Sequence, residues 1–186
     1  MHDAEALQQL ARAFADFGRS DPAAASTAAE FAGLLRDGDA AFLRRRLDGH
    51  FTASAWLVDG TATRVLLTHH RKLGIWVQLG GHADGDQDLA RVALREAEEE
   101  SGLSGLRLEP GIFDLDRHRI PEHKDVPAHW HYDVRYVVRA GDSEAFVVSE
   151  ESHALAWRSI AAIAGDPQAD ASLRRMAAKW RARTEA

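Results

Sequence analysis

The chain has 186 residues and a net charge of −6, with 29 acidic against 23 basic side chains and no cysteine. The missing cysteines exclude disulfides, thiolate metal sites and cysteine nucleophiles, and an acidic chain is poorly suited to wrapping a nucleic-acid polymer. The length fits one domain with a terminal extension, and no run approaches a membrane span or a signal peptide, so we expect a cytoplasmic protein that binds neither membrane nor nucleic acid.

The first part of the chain is predicted to be a helical extension, residues 1–47, ahead of a main domain at residues 48–186. Apolar residues recur at helical spacing from Leu7 to Phe17, and Gly18 is expected to end this helix. A second helix is predicted after Pro22. Three roles are compatible with the extension: packing against the sheet, a lid over a cleft, or a dimerisation arm that would make the protein a homodimer.

Beyond residue 50 the pattern favours strands interrupted by helices. The predicted strands are 51–58, 63–69, 75–79, 106–116, 129–139 and 146–148, and the predicted helices are 89–101, 157–164 and 171–183. Asp59-Gly60 is a strong signal for a hairpin between the first two strands. Gly102 is placed to end the helix predicted at 89–101. This mixed order predicts an α/β sandwich.

The helix predicted at 89–101 carries an unusual acidic pattern. On a helical wheel, Glu96, Glu99 and Glu100 continue the apolar stripe with which the helix begins, whereas Glu98 points to the opposite side. A solvated acidic face is one interpretation. However, like charges at this spacing repel each other, and the helix dipole disfavours anions late in a helix. A hard divalent cation such as Mg²⁺, Mn²⁺ or Ca²⁺ would remove both objections.

Residues 81–103 resemble the Nudix box in spacing and in every fixed position but one. The matching residues are Gly81, Arg95, Glu96, Glu99, Glu100, Gly102 and Leu103. Gln87 stands where the pattern has its first Glu, with Asp86 and Asp88 beside it as substitutes. Leu79 replaces the usual proline before the glycine pair. On these residues the chain is identified as a member of the Nudix hydrolase superfamily.

The resemblance implies a fold and a set of site residues. The fold would be a Nudix-type α/β/α sandwich with a central mixed sheet, preceded here by the helical extension. The implied metal ligands, for Mg²⁺ or Mn²⁺, are Glu96, Glu99, Glu100 and the backbone carbonyl of Gly80. Arg95 would hold the carboxylates in place.

The resemblance also implies a catalytic base. Glu99 or Glu100 is the first choice for this role. Glu150, with Glu151 beside it, is a candidate on a later loop, and an exposed acidic turn is an equally good interpretation of that pair.

The implied activity is divalent-metal-dependent hydrolysis of a diphosphate linkage in a nucleoside diphosphate derivative or a similar small molecule. A non-catalytic nucleotide-binding or regulatory domain is the alternative. Isomerisation of a prenyl diphosphate is disfavoured, because that activity of the fold typically relies on a cysteine and this chain has none.

Histidines supply the remaining candidates. His129, His131 and Asp133 alternate with apolar residues, so they share one face of a strand. That face is either solvated or part of a substrate cleft. His82 lies two residues after Gly80, the proposed carbonyl ligand, and together with His131 and Asp133 it is a candidate for substrate contact. A histidine-based transition-metal site at His129 and His131 is a further alternative.

Overall fold

The structure is a computed structural model that describes residues 2–70, 74–141, 143–147 and 152–184. Its α-helices are α1 (His2–Ser20), α2 (Ala25–Leu34), α3 (Leu89–Ser101), α4 (Ile160–Gly165) and α5 (Ala171–Thr184). Its strands are β1 (Gly49–Val58), β2 (Arg64–His70), β3 (Trp76–His82), β4 (Arg107–Leu108), β5 (Asp114–Ile120), β6 (His129–Arg139) and β7 (Ser152–Ser159). Short 3₁₀ segments, Pro22–Ala24 and Leu35–Phe42, complete the N-terminal helical region. None of the helices in these residues is long and apolar enough to cross a membrane.

The strands form one mixed sheet in the order β4-β6-β1-β3-β2-β7, with β5 paired to β6. Strand β2 runs antiparallel to β1, to β3 and to β7. Because β1 and β3 both oppose β2, these two neighbours run parallel to each other. The expected architecture, a mixed sheet flanked by helices and preceded by a helical region, is confirmed.

Several predicted boundaries were wrong for identifiable reasons. Trp157 lies on β7 opposite Leu66, so the predicted helix begins only at Ile160, where the Ser159 side chain accepts a hydrogen bond from the Ala162 amide. The predicted strand 106–116 divides into β4 and β5, because Gly111, with φ of 87°, turns the chain between them. Residues 146–147 are irregular, and residue 148 lies outside the described chain. Helix α1 continues past Gly18 to Ser20.

Backbone proximity divides the chain into two compact units. Unit 1 comprises Met1–Ser54, Gly81–Ala93 and Pro110–Tyr136, and unit 2 comprises Ala55–Gly80, Leu94–Glu109 and Val137–Ala186.

Aromatic packing fixes the N-terminal helices within unit 1. The Phe14 and Phe31 ring centroids lie 5.9 and 6.2 Å from that of Phe51 on β1, and the Phe42 centroid lies 5.0 Å from it. Phe31 also meets Tyr132 of β6 edge-on at 5.3 Å. Phe14, Phe31, Phe42 and Phe51 are completely buried. Among the roles considered for the extension, this arrangement shows packing against the sheet.

Unit 2 has its own apolar core, to which α3 contributes. Ala97 is fully buried there beside Leu79 and Leu66, and Leu103, just beyond the helix, joins the same cluster. Near the C-terminus, the Trp180 indole is buried and donates a hydrogen bond to the Ala62 carbonyl oxygen at 2.9 Å. The buried side of α3 therefore fixes which way its acidic side chains point.

Candidate functional site

The loop that precedes α3 is organised by two aspartates. The Asp88 carboxylate accepts a hydrogen bond from the Arg91 amide at 3.0 Å, which caps the first turn of the helix. The Asp86 carboxylate accepts from the Asp88 amide at 2.9 Å and pairs with the Arg91 guanidinium at 2.8 Å. These aspartates thus give α3 a well-defined beginning without a glutamate at position 87.

Gln87, the departure from the expected pattern, has a specific partner. Its side-chain amide donates to the Asp39 carboxylate at 2.7 Å, joining the loop to the segment that follows α2. An amide can donate to a carboxylate, whereas a glutamate at this position would repel it. The N-terminal region therefore supplies a physical reason for glutamine here.

We expect Gln87→Glu, which restores the expected pattern, to destabilise the protein. The change replaces a charge-assisted hydrogen bond with two facing carboxylates, at a cost of about 1 kcal/mol in the free energy of unfolding. Urea unfolding of Gln87→Glu, Asp39→Asn and the double variant checks this as a double-mutant cycle. The double variant should recover most of the loss, and equal stability of Gln87→Glu and wild type would contradict the assignment.

The acidic side chains of α3 differ in exposure. Glu98 and Glu99 are exposed, whereas Glu96 and Glu100 are half-buried, and Oε2 of Glu100 is shielded from solvent. The Arg95 guanidinium contacts the Glu96 carboxylate at 3.0 Å. Gly80, the predicted carbonyl ligand, lies within β3. An oxygen-only donor set on one helix, with a guanidinium beside it, fits the chemistry of a hard divalent cation.

The structure does not describe the two carboxylates predicted on a later loop. Glu150 and Glu151 lie outside the described residues, between the segment 143–147 and β7. Their catalytic role stays a prediction.

Unit 1 brings together histidines from three strands. His50 of β1, His82 of β3 and His131 of β6 have ring centroids 5.0 to 5.3 Å apart, and one nitrogen from each lies within 4.8 Å of the others. We call these three residues the histidine triad. His129 stacks on His50 at 5.1 Å, and its Nε2 lies 3.2 Å from Nε2 of His131.

Backbone carbonyls define the tautomers of two of these rings. Nδ1 of His50 lies 3.1 Å from the Arg46 carbonyl oxygen, and Nδ1 of His129 lies 2.9 Å from that of Pro127. A carbonyl only accepts, so both Nδ1 atoms carry the proton and both Nε2 atoms present a lone pair. Nε2 of His50 is buried and has no hydrogen-bond partner.

The triad is held in its neutral form. Burial, followed by the neighbouring His82 and His50, lowers the pKa of His131 to about 2. Burial, followed by Arg44 and His50, lowers the pKa of His82 to about 4, and burial also lowers the pKa of His50. The rings therefore present nitrogen lone pairs rather than positive charge at neutral pH.

Acidification of the metal-free protein is expected to lower its stability through these rings. In the unfolded chain these imidazoles bind protons below about pH 6.5, whereas in the folded protein they stay neutral down to their lowered pKa values. Proton binding therefore favours the unfolded chain, and the free energy of unfolding decreases as the pH falls from about 6.5 towards those pKa values. Urea unfolding in chelator at about pH 7 and about pH 5 measures the loss. The His82→Gln/His131→Gln variant should show a smaller loss than wild type, with His69→Gln as control. An undiminished loss in the double variant would refute the idea.

Asp133 lies deep in unit 1 rather than on an open face. Its carboxylate accepts hydrogen bonds from the Thr52 and Ser54 hydroxyls at 2.9 and 2.8 Å and from the Arg135 guanidinium at 2.8 Å. Only 2% of Asp133 is exposed. The alternation that placed His129, His131 and Asp133 on one face holds, but that face is largely enclosed. The contacts give Asp133 a structural role, and its contact with substrate stays a prediction.

Sequence reasoning missed His50 and Arg135. His50 opens β1 far along the chain from the other histidines, and only the order of strands in the sheet brings it to His82 and His131. Arg135 follows Asp133 at strand spacing, which was an available signal, but a charged residue in a strand is usually exposed. Here its side chain is 3% exposed between Asp133 and Asp114.

Comparison with known proteins gives a consistent result. The family model of the NUDIX domain matches residues 49–180. No curated protein matches the chain. Among solved structures, the chain resembles a hydrolase of the NUDIX family from Clostridium perfringens, with 22% identity, coverage of 72% of this chain and 97% of that one, and a TM-score of 0.51.

Two further structures share the fold. The MutT protein from Methanosarcina mazei Go1 has 18% identity, covers 74% of this chain and 96% of its own, and gives a TM-score of 0.58. The Ap4A hydrolase of C. elegans, solved as a binary complex, has 14% identity, covers 73% of this chain and 97% of its own, and gives a TM-score of 0.56.

Proposed function

Because the chain belongs to the NUDIX domain family, we propose that it hydrolyses a diphosphate linkage in a nucleoside diphosphate derivative or a similar small molecule, in a reaction that depends on Mg²⁺ or Mn²⁺. The observation that carries the proposal is the set of glutamates on one side of α3, with Arg95 beside Glu96. The fold is shared with an Ap4A hydrolase, which supports a nucleotide derivative as substrate.

Each residue of the set has a proposed task. Glu96, Glu99, Glu100 and the Gly80 carbonyl would hold the cation, and Arg95 would orient Glu96 through their contact at 3.0 Å. When bound, such a cation neutralises phosphate charge and lowers the pKa of water. His82, His131 and Asp133 remain the proposed substrate contacts. We propose that residues 1–47 form a helical extension and that residues 48–186 form the catalytic domain.

The chemical step is a displacement at phosphorus. The oxygen of a water molecule forms a bond to one phosphorus, the bond from that phosphorus to the bridging oxygen breaks, and the bridging oxygen leaves with the second phosphate. A carboxylate takes the proton of the water. Glu99 is the preferred acceptor because its side chain is exposed, whereas Oε2 of Glu100 is shielded.

The experiment is a product assay with purified protein. A panel of nucleoside triphosphates, dinucleoside polyphosphates and nucleotide sugars is incubated with Mg²⁺, with Mn²⁺ and with chelator. A nucleoside monophosphate released only with metal supports the proposal. Incorporation of ¹⁸O from labelled water into one product identifies the attacked phosphorus.

A non-catalytic nucleotide-binding domain is the alternative, and Gln87 is the feature that favours it. Measurement of turnover distinguishes the two functions. Saturable nucleotide binding without product, over the whole panel and with both metals, would support the alternative and refute hydrolysis of the tested substrates.

A further inference from the structure

We propose that His50, His82 and His131 form a second metal site in unit 1, for a divalent transition-metal ion of the Zn²⁺ class. The site differs in chemistry from the carboxylates of α3, because its donors are imidazole nitrogens. It does not depend on the proposed hydrolase activity.

The spacing of the nitrogens suits a single ion. One nitrogen from each ring lies within 4.8 Å of the other two. Tetrahedral zinc with nitrogen ligands at 2.0–2.1 Å places those nitrogens about 3.3 Å apart. The rings therefore need to approach by no more than about 1.5 Å, which small side-chain rotations provide. Since His82 and His131 are only half-buried, an ion can reach the site from solvent.

A hydrogen bond orients His50 of the triad as metal-binding histidines are usually oriented. A metal-bound imidazole commonly donates its other N–H to a carbonyl or carboxylate. Nδ1 of His50 does so to the Arg46 carbonyl at 3.1 Å, which turns Nε2 inward. That Nε2 is buried in a residue only 1% exposed, and it has no hydrogen-bond partner. A cation bound between the three rings would satisfy that lone pair.

His129 is placed to supply a fourth nitrogen. Its Nδ1 donates to the Pro127 carbonyl at 2.9 Å, and its Nε2 lies 3.2 Å from that of His131, close to the separation of two ligands on one ion. Without a cation, the proton between these Nε2 atoms has to come from His131. With a cation, both lone pairs can face it.

The donor set selects the class of ion. Imidazole suits Zn²⁺, Co²⁺, Ni²⁺ and Cu²⁺, whereas Mg²⁺ and Ca²⁺ prefer oxygen. The nearby charges are Arg44 and Asp84, which pair with each other at 2.6 Å and so contribute little net charge to the site. Because the ligands come from β1, β3 and β6, a bound ion would tie three strands of unit 1 together.

The test measures metal binding by the full chain rather than turnover. Chelator-treated protein is titrated with Zn²⁺ in excess Mg²⁺ by calorimetry, and with Co²⁺ by visible absorption. We expect one equivalent of each ion, intense Co²⁺ bands typical of four or five ligands, and a higher melting temperature. His82→Gln and His131→Gln should each weaken Zn²⁺ binding at least about 100-fold, since loss of a supporting hydrogen bond alone costs 10–100-fold.

The controls separate this site from other effects. His69→Gln removes a histidine of β2 that belongs to unit 2, and Glu99→Gln alters α3; both should bind Zn²⁺ as wild type does. Circular dichroism reports whether each variant folds. If His131→Gln does not fold, Zn²⁺ binding by His82→Gln, at the end of β3, decides the test. The proposal is overturned if wild type binds no stoichiometric Zn²⁺, or if the triad variants bind it as tightly as His69→Gln does.

Discussion

Glu99→Gln is expected to reduce metal-dependent turnover at least about 100-fold, the lower end of the range for loss of a general base. The substitution is nearly isosteric, and the side chain is exposed, so the fold should be retained. What changes is the charge available to hold a cation and to accept a proton. The measurement is the initial rate of product release with saturating Mg²⁺, on the substrate that the panel identifies.

Glu98→Gln is the matched control, because the same change is made one residue away. Glu98 is exposed like Glu99, but the helical wheel places it on the other side of α3. Its turnover should remain near the wild-type value. If both variants lose activity equally, or if Glu99→Gln keeps it, the assignment of the acidic face of α3 to catalysis is incorrect.

Arg135→Met is expected to lower the free energy of unfolding by about 3–5 kcal/mol, the usual cost of removing one partner from a buried ion pair. Arg135 is 2% exposed and contacts Asp133 at 2.8 Å and Asp114 and Asp116 at 3.3 Å. Burial alone would lower the pKa of Arg135, but Asp133, Asp116 and Asp114 together raise it. Methionine would leave the buried carboxylates of Asp133 and Asp114 without this cation.

Urea unfolding of Arg135→Met, analysed by linear extrapolation, measures the loss. Arg117→Met on the neighbouring strand β5 is the control, because Arg117 pairs with Glu30 where both side chains are substantially exposed. Such surface pairs contribute about 1 kcal/mol or less. Arg135→Lys keeps the charge, so its loss in the free energy of unfolding should lie between those of Arg135→Met and Arg117→Met. A loss of under about 1 kcal/mol for Arg135→Met would show that the carboxylates find other partners or take up protons.

Local patterns were sufficient to predict most of the elements. The Asp59-Gly60 hairpin and helix α3 with its terminal Gly102 follow from turn and capping chemistry within a few residues. The errors arose where a distant partner decides the structure. Trp157 lies in a strand because β2 is there to pair with it, and its own neighbours in sequence do not show that.

The candidate sites show the same contrast between residues placed by local sequence and residues placed by distant partners. Three of the four predicted cation ligands lie within a single helix, so helical periodicity alone places Glu96, Glu99 and Glu100 on one side. The histidine triad draws one residue from each of three strands, and no spacing in the sequence relates His50 to His131. The buried position of Asp133 likewise depends on Thr52 and Ser54, which belong to another strand.

The aromatic packing of the N-terminal helices has a consequence for synthesis on the ribosome. Phe31 rests against Phe51 and Tyr132, but Tyr132 leaves the ribosome about 100 residues after Phe31, some 5–20 s later at usual elongation rates. During that interval the apolar faces of α1 and α2 have only part of their final partners. The nascent chain therefore carries partly uncovered apolar helix faces until β6 emerges, a state that favours aggregation.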